Sequence, residues 1–312
     1  MSHSQAPKHA NALSALFLDD SFDCEVLFNE PASRHTTYHC GGPFKFFCTV
    51  NTIESLQKLL RACDSTNMPF FMIGKGSNLL VSDEGFDGVA CSLGRDFRKV
   101  NIDEEKCLIT AGAGVSFAKV SQLAFNDMLS GLEFAVGIPG TVGGALGMNA
   151  GTGGVGLCDV ISSVSILDIN NDYRLKKLCK DDFNFGYHYS EIQKVGIAVE
   201  CEIELKKCKT WDLKVHMEEK LKKRNKTQPG GHNCGSVFKN PEGDSAGRLI
   251  EQAGLKGTCI GGAEISQLHA NFFPNVDNAK SQDIMDLIRL AQTEVKEKFG
   301  VLLEPEVQFL GF

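Results

Sequence analysis

At 312 residues the chain exceeds what one ordinary hydrophobic core supports, and its 42% hydrophobic and 23% charged residues are those of a globular protein that folds without staples. A net charge of −7 argues against wholesale nucleic-acid binding, and no apolar run approaches the ~18 residues of a membrane span. The polar segment Met1–Ala10 lacks the apolar centre of a signal peptide, so the expected location is cytoplasmic, with neither membrane nor nucleic acid as partner.

Residues 1–20 read as a loosely held lead. Thr52 is placed to cap a helix whose apolar spacing runs through Leu56, Leu59 and Leu60. Phe70-Phe71-Met72-Ile73 then enters, and Leu79-Leu80-Val81 leaves, the bend Gly74-Lys75-Gly76-Ser77-Asn78, which reads as strand, turn, strand. Short strands follow at Cys107–Thr110 and Val160–Leu167, with a helix near 117–128 between them. A second glycine-rich bend, Gly137-Ile138-Pro139-Gly140-Thr141-Val142-Gly143-Gly144, lies in the same stretch. Trp211 to about Arg224 reads as a charged amphipathic helix, Ala246–Ala253 as a short helix stopped by Gly254, and Ser281–Phe299 as a long one stopped by Gly300. In that last helix Ile284, Leu287, Ile288, Ala291 and Val295 form one stripe, which reads as core. Glu306–Leu310 is expected to be a final strand returning to an earlier sheet.

The two bends strip side chains from tight turns, so backbone N–H groups can approach an anion closely, and a pair of them points to a diphosphate ligand. The competing reading is two structural turns. A dinucleotide fingerprint needs a third glycine where Leu79 stands, and neither bend supplies the Gly-Lys-Ser/Thr ending of a Walker loop. Twelve cysteines are scattered without a Cys-x-x-Cys pair and read as small buried hydrophobes; eight histidines lack helical metal-site spacing, so no metal is expected. The basic run Lys220, Lys222, Lys223, Arg224 and Lys226 is either a solvated helix face or an anion-capturing one.

Four segments taken in order, Gly74–Leu80, Gly137–Ala145, Gly235-Ser236-Val237-Phe238-Lys239-Asn240-Pro241 and Leu303-Glu304-Pro305-Glu306-Val307, resemble the UDP-N-acetylenolpyruvoylglucosamine reductases over nearly the whole chain. The resemblance implies an α+β chain in the three-domain FAD-binding fold of the vanillyl-alcohol oxidase type, with a C-terminal α+β substrate domain. Residues 1–98 and 99–208 would form the two FAD-binding subdomains, with 303–312 returning to the first, and 209–302 would receive the UDP-sugar. It implies non-covalent FAD, NADPH as co-substrate, and a place in peptidoglycan precursor synthesis; a monomer is expected. Gly74, Lys75, Gly76, Ser77, Asn78, Leu79, Gly137, Ile138, Pro139, Gly140, Gly143, Gly144 and Ala145 would hold the FAD. Ser236 matches the proton donor, Glu306 the glutamate beside the substrate carboxylate, and Tyr187 and Asn240 substrate-binding positions.

The residue chemistry suits that reaction. Reducing an enol ether conjugated to a carboxylate needs a hydride at one carbon, a proton at its neighbour, and stabilisation of the charge that builds on the carboxylate. A carboxyl kept protonated by burial can donate a hydrogen bond there, whereas an ionised one would repel; Glu304 is the rival of Glu306 for that part. Ser236 has a competing reading as a turn serine after Gly235.

Two departures stand out. Where the family carries Tyr-Arg-x-Ser, this chain reads Tyr187-His188-Tyr189-Ser190, replacing a permanent two-pronged charge by an imidazole that titrates near neutrality. Either His188 works as imidazolium, or it packs while Arg248 or Lys239 takes the carboxylate. Before Gln228-Pro229 the family has a basic residue where this chain has Thr227, so the diphosphate contact falls to Lys226, Arg224 or His232. The short stretch from His188 to Ser236 matches members without the extra tyrosine-bearing loop. A flavin oxidase of the same fold and a non-catalytic flavin or UDP-sugar binder are the alternatives.

Overall fold

The computed structural model describes residues 10–312, so the polar reading of residues 1–9 lies outside it. The chain forms two compact units and passes between them repeatedly: one holds residues up to Phe28, Phe46–Gly74 and Gly88–Lys220, the other Asn29–Lys45, Lys75–Asp87 and Leu221–Phe312.

In the first unit the strongest pattern is an antiparallel five-stranded sheet ordered Arg174–Cys179, Ile161–Asp168, Gly196–Glu204, Leu108–Gly112 and Val100–Asp103. Its strands alternate Ile109, Ala111, Val164, Ile166, Cys201 and Ile203 into a core shared with Phe117, Val120 and Phe134. The helix Phe117–Asn126 lies where the apolar spacing puts it. The second core of this unit is built on the helix Ile53–Thr66, which Thr52 starts by accepting the Ser55 N–H at 3.2 Å and Asn67 ends in the left-handed region. Leu56, Leu59, Leu60 and Cys63 of that helix are buried with Val89, Cys91 and Val199. Residues 10–17 are not a loose lead: they form a helix, and Leu13 is buried in this core. The reason is apolar spacing, with Leu13, Leu16 and Phe17 all meeting the same cluster.

In the second unit the helix Ser281–Phe299 buries Ile284, Leu287, Ile288, Ala291 and Val295 and ends on Gly300 at φ 72°. Its first turn is capped from a distant part of the chain: the Asp83 carboxylate accepts the N–H groups of Ser281 at 2.9 Å and Gln282 at 3.0 Å. The strand Leu79–Val81 pairs in parallel with Gln308–Leu310, so the terminal strand is shorter than the expected 306–310. Pro305 has no N–H to offer a ladder, and the Glu306 N–H turns to Val237 instead. Six cysteines are buried, but Cys179 and Cys259 are exposed.

Asp83→Ala removes two charge-assisted helix caps and is expected to destabilise the protein by about 1–2 kcal/mol. A thermal unfolding midpoint equal to that of the parent would contradict the capping role.

Candidate active site

The first bend is shaped by two close approaches. A Cβ on Gly74 would sit 2.7 Å from the Thr141 hydroxyl, and one on Gly76 would sit 2.2 Å from the His35 carbonyl oxygen. Gly76 also has φ +59°, which disfavours any side chain. Its carbonyl accepts the Thr37 N–H at 3.1 Å, so the turn is anchored through its oxygen. Among the described residues no acceptor takes the N–H groups of Gly76, Ser77 and Asn78. Three successive open amides at a positive-φ glycine form an anion cradle. Lys75 is exposed at its edge and Leu79 is buried in the following strand.

The second bend differs from its expected form. Gly137 and Gly140 turn the chain at φ 71° and 112°, but Val142–Met148 is a short helix that begins inside the bend. Its amides are already used: Val142 donates to Val115 O and Gly143 to Ala113 O, each at 2.8 Å, Gly144 to the Thr141 hydroxyl at 3.2 Å, and Ala145 to Thr141 O at 2.8 Å. Ile138 donates to Ala135 O at 3.0 Å. Gly143 and Gly144 therefore do not present free N–H groups to an anion as the glycine content suggested. A helix whose N-cap is a threonine satisfies its own first turn. Gly143 serves close packing, since a Cβ there would lie 3.1 Å from Ala113 Cβ. The amides left open are those of Gly137, Gly140 and Thr141.

In the second unit parts of three of the four sequence segments meet through main-chain bonds and the Asn78 side chain. Phe238 faces Pro305 in an antiparallel bridge, with Lys239 N–H donating to Glu304 O at 2.9 Å and Glu306 N–H to Val237 O at 2.8 Å. Glu306 thus stands opposite the neighbour of Ser236. The Asn78 carboxamide donates to the Glu306 carbonyl at 2.9 Å, and the Gln308 N–H returns to Asn78 O at 3.0 Å, which ties the first bend to the same place. Asn271 locks the segment from its other side, bonding both the N–H and the carbonyl of Phe238 and accepting the Val237 N–H on its own carbonyl. Cys234 adds a thiol contact to Leu79 O at 3.4 Å. Sequence reasoning missed Asn271 and Cys234, because an isolated polar residue carries no signal of the distant backbone it will satisfy.

The two glutamates have different environments. Glu304 is exposed and paired with Lys239 at 2.6 Å. Glu306 is partly buried, and that burial pushes its carboxyl up to about 7 against the downward pull of Lys239. Ser236 is half-buried beside Gly235, which turns at φ 77°. Asn240 accepts the Ala246 N–H on its carbonyl oxygen at 3.1 Å. Arg248 is held by Asp244 and Gln252, and Lys239 by Glu304, so both suggested substitutes for the missing arginine are already committed. Arg224 is half-buried with no ion pair among the described residues, and burial lowers its pKa from the ordinary value; Lys226 is exposed.

Tyr187 and His188 belong to the first unit. They form the tip of a hairpin in which Phe185 pairs with Ser190 and Gly186 with Tyr189. His188 sits at φ +49°, its ring edge-on to Tyr187 at 4.2 Å, and Asn149 braces the turn by donating to Gly186 O at 3.0 Å. Tyr187 is exposed. Among the described residues no group of three or more His, Cys, Asp or Glu side chains could hold a metal ion.

Comparison with known proteins adds to this geometry. Residues 226–310 match the C-terminal domain of UDP-N-acetylenolpyruvoylglucosamine reductase, and residues 44–172 match an FAD-binding domain. The chain is 40% identical over 289 residues to the UDP-N-acetylenolpyruvoylglucosamine reductase of Caldanaerobacter subterraneus subsp. tengcongensis, covering 92% of this chain and 94% of the relative. The enzyme of that name from Desulforamulus reducens is 41% identical, with 92% and 94% covered. The crystal structure of the reductase from Thermus caldophilus superposes with a TM-score of 0.79 at 34% identity, covering 92% of this chain and 98% of that one.

Because the folded Glu306 carboxyl titrates about 7 rather than at 4.5, the folded state holds a proton that the unfolded state has lost between those values. Stability is therefore expected to fall as pH rises from about 4.5 to about 7. Chemical denaturation across that range checks it: Glu306→Gln should remove this part of the pH dependence, and an unchanged slope would refute the assignment.

Proposed function

The chain belongs to the UDP-N-acetylenolpyruvoylglucosamine reductase family, and from that premise we infer how its residues carry the reaction. It is an FAD-dependent oxidoreductase in the α+β FAD-binding fold, and it reduces UDP-N-acetylglucosamine enolpyruvate to UDP-N-acetylmuramate in peptidoglycan precursor synthesis, with NADPH as reductant. We propose that residues 1–98 and 99–208 are its two FAD-binding parts, with 303–312 returning to the first, and that 209–302 receive the UDP-sugar. We also propose that it works as a cytoplasmic monomer without nucleic-acid or membrane partners; no helix among the described residues is long and apolar enough to cross a membrane.

The residues present fit FAD. Each bend by itself offers open amides that suit anionic oxygens, Gly76, Ser77 and Asn78 in the first and Gly137, Gly140 and Thr141 in the second, and we propose that Gly74, Lys75, Leu79, Ile138, Pro139, Gly143, Gly144 and Ala145 complete the FAD-holding residues. When bound, FAD supplies hydride chemistry, taking the hydride of NADPH and giving one to the enolpyruvyl double bond. Ser236 Oγ–H delivers the proton to the neighbouring carbon. Glu306, protonated because burial disfavours its charge, donates a hydrogen bond to the substrate carboxylate as negative charge builds there. His188 acts as an imidazolium on the same carboxylate, Tyr187 and Asn240 line the sugar, and Arg224 and Lys226 take the UDP diphosphate.

The observation that carries this reading is the hydrogen-bonded junction of Asn78 in the first bend, Val237 beside Ser236, and Glu306, with the carboxyl of Glu306 raised and that of Glu304 paired away. Its test is anaerobic reduction by NADPH followed by the enolpyruvyl sugar nucleotide: the yellow absorbance should bleach and then return. Recovery only with oxygen would make the protein an oxidase, and a colour that NADPH never bleaches would leave a binder.

Ser236→Ala should keep the NADPH-driven bleaching and slow recovery by substrate by at least ~10²-fold, the usual worth of a positioned acid. Equal loss in both halves would contradict the role. Activity is expected to decline above about pH 7, where Glu306 loses its proton and an imidazole of ordinary pKa its charge, and His188→Arg should remove only the histidine part of that decline. A rate profile flat from pH 6 to 9 in the parent protein would remove the imidazolium from the reaction.

A further inference from the structure

Among the described residues the Ser236 hydroxyl has no hydrogen-bond partner, so its place is set by the chain on either side of it. An asparagine holds each flank. Before the serine, Asn233 Oδ1 accepts the Gly235 N–H at 2.9 Å, while its Nδ2 donates to the carbonyls of Pro229, Gly230 and Gly231 at 3.3 Å each. After the serine, Asn271 does for Phe238 what a neighbouring strand would do. Its Oδ1 accepts the Phe238 N–H at 2.9 Å, its Nδ2 donates to the Phe238 carbonyl at 2.8 Å, and its main-chain carbonyl accepts the Val237 N–H at 2.8 Å. The opposite edge of the segment is taken by residues 304–306, through Lys239 N–H to Glu304 O and Glu306 N–H to Val237 O. Val237, Phe238 and Asn271 are all buried, so no water replaces a bond that is lost there. A carboxamide presents an acceptor and a donor side by side without charge, which is what one peptide's N–H and carbonyl require.

We propose that Asn271 is a positioning residue for Ser236: the two bonds from its carboxamide to Phe238 fix the segment that follows the serine and so fix where the hydroxyl stands. This rests on the assignment of Ser236 as the proton donor. A proton donor works only within hydrogen-bond reach of the atom it serves, and a displacement of about 1 Å can cost ~10²-fold in rate. Without the carboxamide, both main-chain groups of Phe238 are left buried and unpaired, and the segment shifts to relieve them. Ser236, two residues away and with no side-chain bond of its own, shifts with it. The main-chain bonds of Asn271, from Val237 N–H and to His269 Nδ1, do not depend on its side chain, so Asn271→Ala removes the carboxamide alone.

The experiment is a double-mutant cycle on the flavin-loaded, full-length protein: parent, Asn271→Ala, Ser236→Ala and the pair together. The flavin is reduced photochemically without oxygen, and its recovery is timed after addition of the enolpyruvyl sugar nucleotide, so reduction by NADPH does not enter. Asn271→Ala should slow recovery about tenfold or more in the parent and less than about twofold once Ser236 is alanine, because the displaced hydroxyl is then already gone. The same fold-loss in both backgrounds makes Asn271 a support of the fold at large and overturns the proposal. A second readout needs no turnover: Asn271→Ala should speed hydrogen exchange at the Phe238 amide, followed by NMR, and unchanged exchange there also overturns it. Asn271→Ser, whose hydroxyl is too short to serve both groups of Phe238, replaces the alanine variant if that one does not fold. Recovery at the parental rate in Ser236→Ala overturns the assignment of Ser236 itself, an outcome distinct from an additive cycle on a slow Ser236→Ala.

Discussion

The second unit depends on one junction: the backbone of Glu306 bonded to Val237 on one side and to the Asn78 side chain on the other. These contacts span 228 residues of sequence in one direction and about seventy in the other, and each is a single hydrogen bond. Individually such a bond contributes only about 1 kcal/mol, but breaking one here leaves a partly buried polar group unpaired, which costs more. The junction persists because Leu80, Val237, Phe238, Leu303 and Val307 are buried around it and hold the strands in register.

Within that frame, position alone separates two chemically identical side chains. Glu304 and Glu306 are two residues apart, yet one is an exposed ion-pair partner and the other a carboxyl whose proton burial retains to near-neutral pH. Lys239 contributes to both outcomes. It pairs with Glu304 and also lowers the Glu306 carboxyl, but burial outweighs that pull. A protonated carboxyl can donate to a carboxylate where an ionised one would repel it, and the division between the two glutamates supplies that donor.

The glycine bends illustrate a second division. Both are rich in glycine, but the first is followed by a strand and the second by a helix with a threonine cap. A strand following a turn leaves the turn's amides pointing outward, whereas a helix start draws its first amides onto a cap and onto neighbouring carbonyls. The second bend has twice the glycines of the first, yet its helix start takes up the amides of Val142, Gly143, Gly144 and Ala145, and Gly143 serves close packing against Ala113.

Local pattern was enough to determine much of this protein. The helix 53–66 with its Thr52 cap, the buried stripe of 281–299 and its Gly300 stop, and the strand, turn, strand reading of 70–81 are all dictated by neighbours in sequence, through periodicity, capping and the freedom of glycine at positive φ. The four ordered segments likewise identified the family. Tertiary structure alone decided which amides remain open, why Ser281 and Gln282 are capped by Asp83, that Lys239 is committed to Glu304, and that the helix 10–17 packs Leu13 into a core. It also decided which of the two glutamates retains its proton. These outcomes rest on burial and on hydrogen bonds between residues far apart in the chain, and neither quantity exists until the backbone has brought those residues together.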